Sequence, residues 1–171
     1  MEYKGIEIKN IPSLKRGGNH GKEEHLHGLI DFCIDNVEKT DTILELGCFY
    51  GASTSIFSHF SNKVISVDLD FSKLPGNFLE THKNIELIKE SSLNVSDLGI
   101  HYDLLYIDTV HTFHHCTQEL TSLYDYCRSS PRKIGGHDYH MDGIKLAVHD
   151  FFGCKPTKTY DDQSWYYEID V

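Results

Sequence analysis

Residues Thr42–Asp70 read TILELGCFYGASTSIFSHFSNKVISVDLD, and this stretch decides the fold. The apolar run Ile43-Leu44-Glu45-Leu46 predicts a buried strand. Gly47-Cys48-Phe49-Tyr50-Gly51 predicts a tight turn, and Ala52–Phe60 a helix. Lys63–Val67 predicts a second strand, closed by Asp68. A glycine loop opening a helix offers unpaired backbone N–H groups to a ligand. A carboxylate closing the next strand can grip ribose hydroxyls. The pattern is E-x-G-x-x-x-G, without the third glycine of a dinucleotide fingerprint and without the G-K-[ST] ending of a phosphate loop. A nucleoside ligand lacking pyrophosphate fits, and S-adenosylmethionine (SAM) is such a ligand.

Working outward, strand and helix signals alternate. Upstream, Leu26, Leu29, Ile30, Cys33 and Val37 form a helical stripe within residues 22–37. Residues 4–21 are a polar lead-in whose Gly17, Gly18 and Gly21 disfavour a long helix. Downstream, strands are predicted at Ile85–Lys89, at 102–107 ending in Asp108, and around Lys133-Ile134 leading into Gly135-Gly136-His137-Asp138. Helices are predicted over 113–127 and around Ile144–Phe152, and a closing antiparallel hairpin from Lys158–Tyr160 and Trp165–Ile169 with Asp161-Asp162 at its turn. Such alternation builds a mostly parallel sheet with helices on both faces, and ligands bind beyond its C-terminal strand ends. Glu45, Asp68, Ser91-Ser92, Asp108 and His137-Asp138 all fall at such ends.

The chain has 171 residues, which suits one domain spanning 1–171. At 39% hydrophobic and 25% charged it is neither disordered nor membrane-embedded in character. A formal charge of −10 argues against general nucleic-acid binding. No apolar window and no leader signal point to a membrane or to export, so a cytoplasmic protein is expected. The five cysteines, Cys33, Cys48, Cys116, Cys127 and Cys154, include no C-x-x-C and read as reduced thiols. Cys48 reads as a packing residue of the loop rather than a nucleophile.

The Thr42–Asp70 segment resembles motif I of class I SAM-dependent methyltransferases. That resemblance implies a Rossmann-like α/β sandwich, with a mostly parallel sheet and an antiparallel strand at the C-terminus. It assigns Glu45 to the methionine end of the cofactor and Asp68 to the ribose. The loop residues Gly47, Cys48, Phe49, Tyr50, Gly51 and Ser53, together with Leu69, would line the cofactor. Ser91 and Ser92 would lie near the adenine, with Asp108 at the far edge.

Two further segments resemble a small subfamily related to metal-assisted O-methyltransferases. Asp103–His111 is similar to its D-x-x-x-I-D-G-x-H segment. Gly136-His137-Asp138-Tyr139, followed by the Gly143–Phe152 run, is similar to its G-H-D-Y and G-V-x-x-A-V-x-x-F-F pattern. The resemblance spans roughly residues 24–152. It departs at Ser130-Pro131-Arg132, where the family carries a proline-glycine-glycine turn, and at Val110, where it carries an acid.

By this resemblance Asp108, His137 and Asp138 stand at metal-ligand positions, and two carboxylates with one imidazole suit Mg²⁺ or Mn²⁺. His111 then stands at the D-x-x-[KH] position of the catalytic base, and an imidazole can accept a hydroxyl proton near neutral pH. The implied reaction is methyl transfer from SAM to a hydroxyl of a small molecule or saccharide. The pocket would be open, or completed by the N-terminal segment or by the second subunit of a homodimer. Two readings stand beside it. His111, His137 and one carboxylate are also the set of an iron-dependent hydroxylase, and the domain could bind SAM without turnover. His114 and His115 read as bland helix positions, and His20, His25 and His27 as surface residues.

Overall fold

The structure, a computed structural model, describes residues 2–9, 11 and 26–170. The predicted lead-in glycines Gly17, Gly18 and Gly21, and His20 and His25, lie outside the described residues. The helical stripe begins within them, as α1 (His27–Asn36). The chain continues through β3 (Thr42–Leu46), α2 (Ala52–Phe60), β4 (Lys63–Asp68), α3 (Phe78–Thr81) and β5 (Ile85–Lys89). Then come β6 (Leu104–Ile107), α4 (Phe113–Leu123), β7 (Arg132–Gly136), α5 (Asp142–Phe152), β8 (Lys158–Thr159) and β9 (Trp165–Ile169). Two short strands, β1 (Glu2–Tyr3) and β2 (Ile6–Glu7), precede them as a hairpin inside the stretch read as a polar lead-in. Tyr3 ties that hairpin to α1 by stacking on His27 and donating to Asp31 at 3.2 Å.

Seven strands form one sheet in the order β5-β4-β3-β6-β7-β9-β8. The β3, β4, β5, β6 and β7 pairings are parallel, and β9 runs antiparallel to both β7 and β8. The sequence order reverses direction between β3 and β6, and that switch point is where an open α/β sheet forms its crevice. Both strands end there: β3 feeds the glycine loop, and β6 feeds Asp108.

The side-chain period of two sorts each strand onto two cores. Leu44, Leu46, Leu105 and Ile107 join Cys116, Leu120, Leu123, Ile144 and Val148 beneath α4 and α5. Ile43, Val64, Leu104 and Tyr106 join Ile30, Phe32, Cys33, Ile56 and Phe57 beneath α1 and α2. Glu45 alternates with Leu44 and Leu46, so its side chain points to the α2 side. Fully burying a side chain such as Leu120 contributes about 1.5–3 kcal/mol, so these two layers supply most of the drive to fold.

Two boundaries differ from the sequence reading for identifiable reasons. The predicted strand from 102 begins at Leu104, and Tyr102 makes an isolated bridge to Cys127 instead. The predicted helix to 127 stops at Leu123 and tightens into a 3-10 turn, Tyr124–Tyr126. Cys127 is therefore buried by its bridge to the sheet, not by a helical stripe. In place of a glycine turn, Ser129 Oγ organises the entry to β7, donating to Asp103 O at 2.7 Å and accepting from Lys133 N at 3.2 Å. Among the described residues no helix is long and apolar enough to cross a membrane.

Candidate active site

The loop after β3 is built from below by a buried acid. Glu45 is fully buried and accepts from three hydroxyls: Ser53 at 2.5 Å, Thr54 at 2.5 Å and Ser66 at 2.6 Å. Burial raises its pKa to about 7 even though those hydroxyls favour the charged form. The carboxyl thus couples β3 to the first turn of α2 and to the middle of β4. Ser53, expected to line the cofactor, spends its hydroxyl on this clamp.

The loop itself needs glycine at two points. Gly47 has φ +92°, and a Cβ there would lie 2.0 Å from the Asp108 carbonyl oxygen. Gly51 caps α2 with φ +78° and lies against Leu74 and Phe78. Between them Phe49 also has positive φ, +49°, and is exposed, its ring packed edge-on to Tyr50 and covered by Lys73 Nζ at 3.9 Å. Asp68 closes β4 and reaches back across the crevice: its Oδ2 accepts from Cys48 N at 2.8 Å and Phe49 N at 3.0 Å. Its Oδ1 accepts from Asp70 N at 3.1 Å. Leu69, just beyond, is exposed. Cys48 is buried, its Sγ 3.3 Å from Thr54 Oγ1, and burial pushes its thiol up to about 12. A neutral, packed thiol is no nucleophile.

Beyond β5, Ser91 caps a 3-10 turn (Ser92–Leu98), its Oγ accepting from Leu93 N at 3.4 Å. Ser92 Oγ meets His115 Nε2 at 3.1 Å, and that nitrogen also faces Glu119 Oε1 at 3.1 Å. Glu119 is fully buried, accepts from Thr109 Oγ1 at 2.7 Å, and has its pKa raised by burial. His115 is thus part of a polar cluster linking the β5 and β6 ends. The i, i+4 spacing of His115 and Glu119 on α4 was the available signal.

The second half of the site lies beyond β6 and β7. Asp108, His137 and Asp138 each present a ligand atom, and these atoms lie within 4.8 Å of one another. Asp138 has φ +57°, an αL conformation that is costly for a residue with a Cβ and that clusters at functional sites. Hydrogen bonds from Met141 N to Asp138 O and from Tyr139 N to Gln163 O hold that backbone in place. His111 stands at the same place. Thr112, not His111, caps α4, so the His111 ring is free to face the acids. Its Nε2 is 2.7 Å from Asp138 Oδ2 and 3.7 Å from Asp108 Oδ1.

The charges explain one another. The carboxylates of Asp108 and Asp138 raise the His111 pKa against partial burial. Burial opposes charge on His137, but Asp138, Asp108 and Asp162 outweigh it and hold the imidazole at about 9. Burial likewise opposes charge on Asp138, and its three histidine neighbours, His137, His111 and His140, overcome this and lower its pKa. Two carboxylates and an imidazole converging this closely form a donor set suited to a hard or borderline divalent cation.

Asp162 was read from the sequence only as part of a turn. It is buried, and its Oδ2 lies 4.0 Å from His137 Nε2. Trp165, from the same hairpin, donates its Nε1 to His137 O at 3.0 Å. No local signal in the sequence ties residues 162 and 165 to 137. A shallow depression of about 370 Å³ lies over the outer face of α4, lined by Leu93, His114, Thr117, Gln118, Thr121 and Ser122. It holds none of the converging acids.

The mostly parallel sheet with its antiparallel C-terminal strand matches the class I SAM-dependent methyltransferase fold. Among solved structures, an rRNA methylase from Streptococcus thermophilus matches at 14% identity and TM-score 0.62, over 85% of this chain and 96% of that one. The N-methyltransferase NodS from Bradyrhizobium japonicum WM9, in complex with S-adenosyl-L-homocysteine, matches at 12% identity and TM-score 0.62, over 90% and 92%. CalS11, a TDP-rhamnose 3'-O-methyltransferase of calicheamicin biosynthesis, matches at 13% identity and TM-score 0.61, over 88% and 80%. No family model matches the sequence, and no curated protein matches it. Those three neighbours are named for RNA, nitrogen and sugar-oxygen methylation, so the shared fold leaves the acceptor to be argued from the site.

Proposed function

We propose that this chain transfers a methyl group from SAM to a hydroxyl of a small molecule or saccharide, assisted by Mg²⁺ or Mn²⁺. The carrying observation is the convergence of Asp108, His137 and Asp138 beside His111, one residue-contact away from the glycine loop. The loop's placement supports a nucleoside cofactor: it turns at the end of β3 with Gly47 packed on the Asp108 carbonyl, and Asp68 at the end of β4 holds its Cys48 and Phe49 N–H groups, so the ligand would meet the shaped loop and the carboxylate rather than those two donors. SAM, when bound, supplies a methyl carbon carried on a sulfonium leaving group. A divalent cation, when bound, would lower the pKa of the acceptor hydroxyl.

The residues then have separate tasks. Asp68 fixes the loop and offers its carboxylate to the ribose, while Glu45 braces the loop from beneath. Asp108, His137 and Asp138 hold the cation. His111 takes the hydroxyl proton as the oxygen–methyl bond forms and the carbon–sulfur bond breaks. In its neutral form, with the Nε2 proton directed at Asp138, the ring would accept through Nδ1. Alignment and charge matching supply most of the rate gain. The exposed apolar residues Val110 and Phe113 neighbour His111 in the chain and would give the acceptor a partly apolar rim.

The test is transfer of labelled methyl from SAM to a panel of hydroxylated acceptors, with Mg²⁺, Mn²⁺ or EDTA. Activity that rises with the ion, disappears with EDTA and is lost in D108A supports the reading. Full activity in metal-free protein removes the ion from it. Turnover with Mg²⁺ in the absence of oxygen separates it from an iron-dependent hydroxylase, and absence of turnover with every acceptor favours a silent SAM-binding domain.

A further inference from the structure

The turn between β8 and β9 places a buried carboxylate behind the candidate metal-binding histidine. Both Asp162 oxygens are committed to Ser164: Oδ1 accepts from its backbone N at 3.0 Å, and Oδ2 from its Oγ at 2.8 Å. Ser164 is in turn paired with the Tyr106 hydroxyl at 2.8 Å, which fixes the turn to β6. On the other side Gly28, in the first turn of α1, leaves no room for a Cβ, which would lie 2.5 Å from Asp162 Oδ1. The carboxylate is thus held from three directions, yet Oδ2 has lone-pair capacity left and lies 4.0 Å from His137 Nε2. The other ring nitrogen, Nδ1, faces Asp138 Oδ2 at 3.3 Å. The two nitrogens of His137 therefore look at two different carboxylates, one in the crevice and one in the hairpin.

From this arrangement we infer that Asp162 is a positioning residue that holds His137 in the Nε2–H tautomer and turns Nδ1 toward the cation site. The inference rests on the proposed metal site. A ligating imidazole has one lone pair for the cation, and its remaining N–H needs an acceptor. Such outer carboxylates set the tautomer and ring orientation and raise ligand basicity. Asp162 is the carboxylate that faces that nitrogen, at ion-pair rather than hydrogen-bond distance. The same hairpin fixes the His137 backbone through Trp165 Nε1, so ring and main chain are both set from the C-terminal strands.

Two measurements test this. Calorimetric titration of wild type and D162N with Mn²⁺ alone should show binding about 10–100-fold weaker in the variant, the usual scale for losing such a partner. Affinity for S-adenosylhomocysteine should be the same in both proteins. Nitrogen-15 imidazole spectra of the Mg²⁺-loaded wild type should show His137 protonated at Nε2. Equal Mn²⁺ affinity in D162N, or His137 protonated at Nδ1, overturns the assignment. A parallel loss of Mn²⁺ and S-adenosylhomocysteine affinity assigns Asp162 to the fold instead. If the wild type itself takes up no Mn²⁺, the metal site fails first and this role fails with it.

Discussion

The Gly47 α-carbon packs directly on the main-chain carbonyl of Asp108; a Cβ there would sit 2.0 Å from that oxygen. The loop assigned to the cofactor and the residue assigned to the metal are therefore one contact, made where β3 and β6 end side by side. Gly47→Ala should disturb both. Positive φ strain and overpacking together should cost about 2–4 kcal/mol. Urea unfolding measures this, and a variant as stable as wild type would show that the loop can shift away from Asp108.

Asp68 bridges the loop and the second strand, so Asp68→Ala removes two acceptor contacts to Cys48 and Phe49 as well as the expected ribose partner. S-adenosylhomocysteine affinity should fall by about 1.5–3 kcal/mol, the scale for hydrogen bonds to a charged group. Calorimetry on the folded variant decides, and unchanged affinity takes Asp68 out of the site. NAD should not bind comparably to the wild type.

Glu45 gives a pH dependence with a definite sign. Its folded pKa is raised from 4.5 to about 7, so the folded chain keeps a proton that the unfolded chain releases between those values. The stability linked to it is fully present below 4.5 and is lost as pH rises through 7, by about 3 kcal/mol at most. Glu45→Gln, which keeps the shape but turns one end of the group from acceptor to donor and so obliges a facing hydroxyl to reorient, starts from a lower baseline and should gain on the wild type as pH increases. Denaturant midpoints of the two proteins at about pH 5 and about pH 8 measure the difference; a constant gap would mean that Glu45 ionises normally.

His111→Ala should separate chemistry from binding. Single-turnover methyl transfer should slow by about 10²–10⁴-fold, the contribution of a positioned acid–base group. Cofactor affinity should hardly change, because the ring faces Asp138 and Asp108 rather than the loop. Wild-type rates in the variant would place the base elsewhere.

Most of the sheet was legible because its strands announce themselves locally. Ile85–Lys89 and Trp165–Ile169 match their predicted bounds, and Lys63–Val67 extends only by Asp68, which was read as its closing acid. The four-residue helix Phe78–Thr81 is too short to show a period, and the β1–β2 hairpin has only two residues in each strand. At the site, Asp108, His111, His137 and Asp138 were legible as residues near strand ends. The grouping of Asp108, His137 and Asp138 came from the resemblance, while the contact of His111 with Asp138 was not legible, since it depends on Thr112 taking the cap and on Asp138 adopting a left-handed backbone. Ser66 and Thr54 gave no sign of clamping Glu45, because each reads as an ordinary strand or helix position. Asp162 was missed because His137 lies far from it in the chain, whereas the pairing of Glu119 with His115 was open to view as an i, i+4 spacing on α4.

The Trp165 indole bonded to the His137 carbonyl sets an order of assembly. On the ribosome, Thr42–Asp68 emerges with the residues that brace its loop, Glu45, Ser53, Thr54 and Ser66, already present. His137 emerges before the hairpin that holds its carbonyl. The hydroxyl clamp on Glu45 is thus complete within residues 45–66, whereas the Gly47 turn waits for Asp108. Until residues 160–165 dock, the His137 carbonyl lacks the indole that fixes it.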